Sequence, residues 1–315
     1  PEPPKLTMAE TNILVINLGA FGDFLYALGP MQAIRRHHPT ARLSLLTRPA
    51  YRDLAERSGL FDEIQIDDEP KAWNIAGVLR LRRWLRGAGF TRVYDLQTSD
   101  RTSSYRKLFC PGPWPEWSGI VPGDPLYHHY KRPTLTHTID RQREQLRIAG
   151  INDVARSDVS FMDGDITRFA LSVPFVLLIP GSSAKMKIKR WPAEKYADLA
   201  NRLAAKGLTP VVLGGAEEAD AIEVILSACA QAVSLSGQTT IFDIPALGRR
   251  AASAVGNDTG PMHAVAFTGC PTVAIFSELS FPAKAGPRGE HVRLLVRENL
   301  ADLPVDEVEA AVMPR

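Results

Sequence analysis

The stretch Ile13-Leu14-Val15-Ile16-Asn17-Leu18-Gly19-Ala20-Phe21-Gly22-Asp23 decides the fold. A short apolar run rich in branched side chains reads as a buried strand. It ends in a glycine turn, where backbone can approach a ligand closely. A helix pattern follows, expected over Phe24 to His37 and closed by Pro39. Strand, glycine turn and helix make the opening half of a parallel βαβ unit, with an anion-favouring helix N-terminus over the turn. The turn is not G-x-G-x-x-G. The next strand, Leu43 to Leu46, runs into Thr47-Arg48 without the acidic residue that holds a dinucleotide ribose, which argues against a dehydrogenase.

The same alternation continues outward. A helix is expected at Tyr51 to Ser58, a strand at Glu63 to Ile66, a helix at Ala72 to Arg86 and a strand at Arg92 to Leu96. Residues 110–135 break the rhythm with six prolines, two tryptophans and two tyrosines. A helix at Thr138 to Ala149 and a connection over 151–172 follow. Alternation restarts at Phe175 to Ile179 and runs through Thr272 to Phe276, with helices opening near Pro192, Glu217, Ile241 and Gly260. Two Rossmann-like domains in tandem are therefore expected: a leader over 1–11, an N-terminal domain over 12–160 and a C-terminal domain over 161–315.

Composition narrows the class. The chain has 315 residues, 45% of them hydrophobic, enough for two cores. The net charge of +2 does not point to nucleic acid. No apolar run approaches the roughly 18 residues of a membrane span. Cys110, Cys229 and Cys270 are odd in number and without C-x-x-C spacing, so neither a disulfide framework nor a zinc site is expected. Buried thiols and a cytoplasmic setting fit best. His128, His129 and His137 lack a metal-ligand spacing, and no metal or other cofactor is expected.

Four segments carry chemistry. In Gly19 to Asp23, Asp23 either caps the helix or points a carboxylate into the crevice at the strand ends, where open α/β sheets bind ligands. Pro180-Gly181-Ser182-Ser183, followed by Lys185, Lys187, Lys189 and Arg190, reads as a diphosphate cradle or as a solvated basic loop. Gly214-Gly215-Ala216-Glu217-Glu218 offers an acid to ribose hydroxyls, or the ordinary acidic bias of a helix start. Gly256-Asn257-Asp258-Thr259-Gly260-Pro261-Met262-His263 is the most informative. Its polar groups open a helix that is otherwise small and apolar, so they face a ligand, unless they cap the helix and His263 is a core histidine. Leu79-Arg80-Leu81-Arg82-Arg83-Trp84-Leu85-Arg86 is a basic amphipathic helix, either a solvated face or a contact for anionic lipid.

Residues 12–280 resemble the lipopolysaccharide heptosyltransferases, glycosyltransferase family 9. ILVINLGAFGDFLYALGPMQAIRRHHPTARLSLLTRP is similar to the family's N-terminal signature and VGNDTGPMHAVAFTGCPTVAIFS to its C-terminal one; DLQTSDRTS, LLIPGSS, KRWPAEKYADLANRLAAKG and LGGAEEADAI lie between in the same order. The resemblance implies an α/β GT-B fold, two Rossmann-like domains whose parallel sheets face a central cleft, with acceptor in the first and donor in the second. It implies metal-independent, inverting transfer of heptose from an ADP-linked sugar to a lipopolysaccharide core, peripheral to the inner membrane's cytoplasmic face. Asp23 then matches the catalytic base, with Gly19 and Gly22 on the acceptor side. Lys189 matches the diphosphate-contacting lysine, Ser182 and Ser183 the hydroxyls near the phosphates, Glu218 the ribose acid and Thr239 the adenine pocket. Asp258, Thr259, Gly260 and His263 match the donor motif D-T-G-x-x-H. The family's Gly-Pro-Thr-x-Pro after the last strand is replaced by Ser277-Glu278-Leu279-Ser280-Phe281-Pro282. Three alternatives stand beside this reading: another nucleotide sugar on another surface glycan, a non-catalytic nucleotide-sugar binder and a sugar-nucleotide epimerase.

Overall fold

The computed structural model describes residues 11–71, 73–129, 136–182 and 189–315. Apart from Thr11, the leader lies outside the described residues, as do Ser183, Lys185 and Lys187. The described residues form two units. One holds those of Pro1–Gly19, Tyr26–Thr134 and Ile139–Ser157; the other holds those of Ala20–Leu25, Leu135–Thr138 and Asp158–Arg315.

The first unit runs β1 (Asn12–Asn17), α1 (Phe21–His37), β2 (Arg42–Thr47), α2 (Arg52–Ser58), β3 (Glu63–Ile66), α3 (Ile75–Gly87), β4 (Arg92–Asp95), α4 (Asp100–Ser104), β5 (Glu116–Ser118) and α5 (Thr138–Ile148). The first turn of α1 and the first residue of α5 group with the second unit. The strands pair in parallel in the order β3-β2-β1-β4-β5. Ile13 to Leu18 are all buried, as expected for a strand covered on both faces. Leu14, Ile16, Val93, Leu81, Leu85 and Trp117 share one core cluster. Each such side chain contributes about 1.5–3 kcal/mol by leaving water.

Three local readings differ from the structure. The helix α1 starts at Phe21, so Asp23 is its third residue rather than a cap outside it. The helix α3 opens at Ile75 because the Asn74 side chain accepts from the Gly77 amide at 3.0 Å. The Pro-rich stretch contains β5, whose Trp117 is fully buried and whose backbone N–H donates to Asp124 at 2.8 Å.

The second unit runs β6 (Phe175–Ile179), α6 (Ala193–Ala205), β7 (Thr209–Val212), α7 (Ala219–Ala228), β8 (Val233–Ser234), α8 (Asp243–Arg250), β9 (Ser253–Asn257), α9 (Gly260–Phe267), β10 (Thr272–Ser277), α10 (Pro282–Ala285), β11 (Val292–Arg297) and α11 (Val305–Ala311). Its parallel order is β11-β10-β9-β6-β7-β8. In both sheets the strand order thus reverses once, between β1 and β4 and between β6 and β9. Those switch points open a crevice at the strand carboxyl ends. β11 and α11 extend beyond the last strand read from sequence. Val305, Val308 and Ala311 of α11 join the core with Leu199 and Leu203 of α6. Cys229 and Cys270 are buried, but Cys110 is exposed, contrary to the expectation of three buried thiols.

Candidate functional site

The switch point of the second sheet lies between the ends of β6 and β9, and a buried asparagine sets its geometry. Asn257 closes β9 with no exposed surface. Its amide donates to the Pro180 carbonyl at 2.6 Å, beyond the end of β6. Its oxygen accepts from the Trp191 backbone N–H and the Tyr196 hydroxyl, both at 3.1 Å. Gly256 is required beside it, because a Cβ there would meet Ile179 and Met262 at 2.6–2.8 Å. Trp191 is buried, stacks edge-on against Tyr196 and donates its indole N–H to the Leu303 carbonyl at 3.0 Å. These anchors fix the backbone that carries Lys189 and Arg190.

Lys189 then reaches Asp258, with its Nζ 2.6 Å from Oδ2. The second oxygen of Asp258 lies 3.8 Å from Nε2 of His263, one turn into α9. Both side chains of the lysine pair are mostly buried, at 16% and 11% exposure. Burial alone would raise the Asp258 carboxyl, but the nearby His263 imidazole and the Lys189 ammonium hold it below the usual carboxylate range. Asp258 is therefore ionised, and a cation stands beside the N-terminus of α9. Thr259 precedes that helix in extended backbone, and no side chain caps it. Among the described residues nothing accepts from the Gly260 and Met262 amides, and Pro261 has no N–H to offer. A helix start with uncapped amides beside a lysine is suited to a phosphate group.

On the other side of β6, Arg190 holds three groups together. Its guanidinium donates to the Ser182 hydroxyl at 3.2 Å and the Ser182 carbonyl at 3.2 Å, and lies 3.5 Å from Glu218 Oε1. Glu218 also accepts from the Gly215 amide at 2.9 Å. Two glycines make room for it. A Cβ on Gly181 would lie 2.9 Å from the Glu218 carboxyl carbon, and one on Gly214 would lie 3.1 Å from its Cβ. Gly181→Ala must therefore push the carboxylate off these partners. With Glu218 as the ribose acid that the family resemblance implies, the expected result is a rise of about tenfold in the KM for a nucleotide-sugar substrate, the worth of one hydrogen bond to a charged group, with kcat nearly unchanged. Steady-state kinetics with that substrate varied check this, and an unaltered KM would end the ribose expectation for Glu218.

Asp23 sits in the segment that groups with this unit. It is exposed, and its Oδ2 accepts from the Ala20 amide at 3.1 Å, a capping contact made from inside the helix. Its other oxygen has no partner among the described residues. Gly22 beside it leaves space for His263, since a Cβ would come within 2.9 Å of the imidazole Cδ2; Gly260 is likewise 3.0 Å from the Phe21 ring by the same measure. Gly19 is buried in the first unit, where Gln97 accepts from the adjoining Leu18 amide at 3.0 Å.

The structure thus gathers Lys189, Asp258, Thr259, Gly260 and His263 around the start of α9, and Ser182 with Glu218 around Arg190. Thr239 is part-buried in the turn between β8 and α8, without a hydrogen bond to either group among the described residues. Ser183 lies outside the described residues. Arg190 and Asn257 do structural work that their sequence neighbourhood did not single out. Arg190 was visible only as one charge in a basic run, Asn257 only as a polar residue at a strand end. Among the described residues no group of three His, Cys, Asp or Glu side chains is arranged for a metal ion.

The comparisons with known proteins converge. The family model described as glycosyltransferase family 9 (heptosyltransferase) matches residues 128–305. The lipopolysaccharide core heptosyltransferase OpsX of Haemophilus influenzae is 22% identical over 289 residues, 87% of this chain and 81% of that protein. Among solved structures, the glycosyl transferase family 9 protein from Veillonella parvula superposes with a TM-score of 0.82 at 21% identity, covering 96% of this chain and 95% of that one. The E. coli ADP-heptose LPS heptosyltransferase II gives a TM-score of 0.77 at 21% identity, covering 96% and 97%.

Proposed function

Because the chain belongs to glycosyltransferase family 9, we propose that it moves heptose from an ADP-linked donor onto a lipopolysaccharide core sugar. The chain is a glycosyltransferase with the GT-B class of fold. The observation that carries the donor assignment is the Lys189–Asp258–His263 group at the uncapped start of α9. In this reading the diphosphate lies over the Gly260 and Met262 amides with Lys189 beside it. The ribose hydroxyls donate to Glu218, and the base lies toward Thr239.

The reaction is a single displacement with inversion. An acceptor hydroxyl oxygen attacks the anomeric carbon and loses its proton to Asp23. The bond from that carbon to the diphosphate oxygen breaks, and ADP leaves with the electron pair. Its developing charge falls on the Lys189 ammonium and the α9 amides, so fixed protein charge takes the part that a metal ion plays elsewhere. The glycolipid acceptor meets the enzyme on the Gly19 and Gly22 side, at the cytoplasmic face of a membrane.

Thermal unfolding in the presence of ADP-heptose, UDP-sugars and GDP-sugars tests the donor. The expected result is stabilisation by ADP-heptose well above the others, by RT ln(1 + [L]/Kd), with turnover unaffected by a chelator. Equal shifts with all three nucleotides, or a larger one with UDP or GDP, would reassign the donor.

A further inference from the structure

The helix α3 lies on the first unit and takes no part in the donor site. Gly77, Leu81 and Leu85 form its buried face. The opposite face shows Ile75 at 67% and Leu79 at 48% exposure, and Trp73 just before the helix is 76% exposed. Isolated exposed apolar residues need no explanation. Ile75 and Leu79 share one side of the helix at i, i+4 spacing, and Trp73 lies two residues before it. The same side continues, at helical spacing, into Arg82, Arg83 and Arg86, with Arg80 beside it. No acidic residue occurs in α3. Arg80 faces Asp68 loosely at 3.8 Å, and Arg82 donates to the Cys110 carbonyl at 2.7 Å. Arg83 and Arg86 have no carboxylate partner among the described residues. Lys71 stands 4.9 Å above the Trp73 ring and adds a further cation at the apolar end.

We propose that this face of α3 is a docking surface for an anionic lipid bilayer. The charge pattern selects the occupant. A bilayer presents negative headgroups above an apolar layer, and a helix lying in that boundary uses guanidinium groups for one and Trp, Ile and Leu for the other. A nucleic acid would satisfy the arginines and leave Trp73, Ile75 and Leu79 in water. The inference deepens the reading of a glycolipid acceptor, since such an acceptor is anchored in a membrane. It stands on α3 alone, because vesicle binding needs neither donor nor turnover.

Co-sedimentation of the full chain with vesicles tests it. The protein is expected to bind phosphatidylcholine vesicles that contain phosphatidylglycerol, to bind pure phosphatidylcholine far less, and to release as salt is raised. Arg83→Glu with Arg86→Glu should weaken binding by about 30-fold or more. Ile75→Asn with Leu79→Asn should weaken it while leaving the first salt-sensitive contact in place. Both double variants replace exposed side chains, so thermal stabilisation by donor should match that of the parent chain. Binding unaltered in either double variant would overturn the proposal. So would an absence of binding to the anionic vesicles, including the case in which the protein is retained on heparin and the arginines serve another polyanion. Neither result would touch the donor assignment.

Discussion

Asp23→Asn is expected to lower kcat by about 10²–10⁴-fold while leaving the dissociation constant for ADP essentially unaltered. The geometry makes this substitution informative. Asp23 is exposed, so no core contact changes. Its one contact in the described structure is acceptance from the Ala20 amide at 3.1 Å, and an asparagine oxygen takes the same bond. The first turn of α1 therefore persists, and Gly22 continues to leave its space for His263. What asparagine removes is the ability to take a proton. A loss of turnover with donor binding intact assigns the base to Asp23. A variant as active as the parent would return this carboxylate to its capping role, which the Ala20 contact by itself already explains.

The information that fixes this fold is local in some places and distant in others. β1 and the Gly19 to Asp23 turn were legible because an apolar run, glycines and a following helix lie in consecutive residues. The start of α9 was legible for the same reason, as polar residues opening a buried helix. What joins the site is not local. Lys189 and Asp258 are 69 residues apart, and the Asn257 amide that binds Pro180 spans 77. No periodicity encodes such pairs; the resemblance to a family supplied the residues, and only the fold showed their contacts. Short or irregular elements were lost for a different reason. β5 has three residues among prolines, and its strand character comes from the burial of Trp117. β11 is half-exposed, and its arginines hide the apolar pattern that a central strand would show. The early start of α1 was obscured because Gly22 is a poor helix former, kept where His263 packs against it.

Lys189→Met is expected to lower kcat/KM by about 10²–10³-fold, the usual scale for removing one donor to a developing oxyanion. Two explanations of such a loss must be separated. Lys189 is either a contact for the leaving diphosphate or only the counter-charge that keeps Asp258 in place at 2.6 Å. Removing one member of a largely buried ion pair leaves the other uncompensated, which is costly by itself. The double variant Lys189→Met with Asp258→Asn distinguishes the two. Neutralising both members removes the stranded charge, and the thermal stability lost in Lys189→Met should then largely return. If Lys189 served only Asp258, activity would rise to that of Asp258→Asn alone. If Lys189 stabilises the diphosphate, activity stays low in the stable double variant, because no neutral side chain replaces an ammonium facing the departing charge. The expected outcome is recovered stability without recovered turnover; recovery of both would move leaving-group stabilisation away from Lys189 and onto the α9 amides alone.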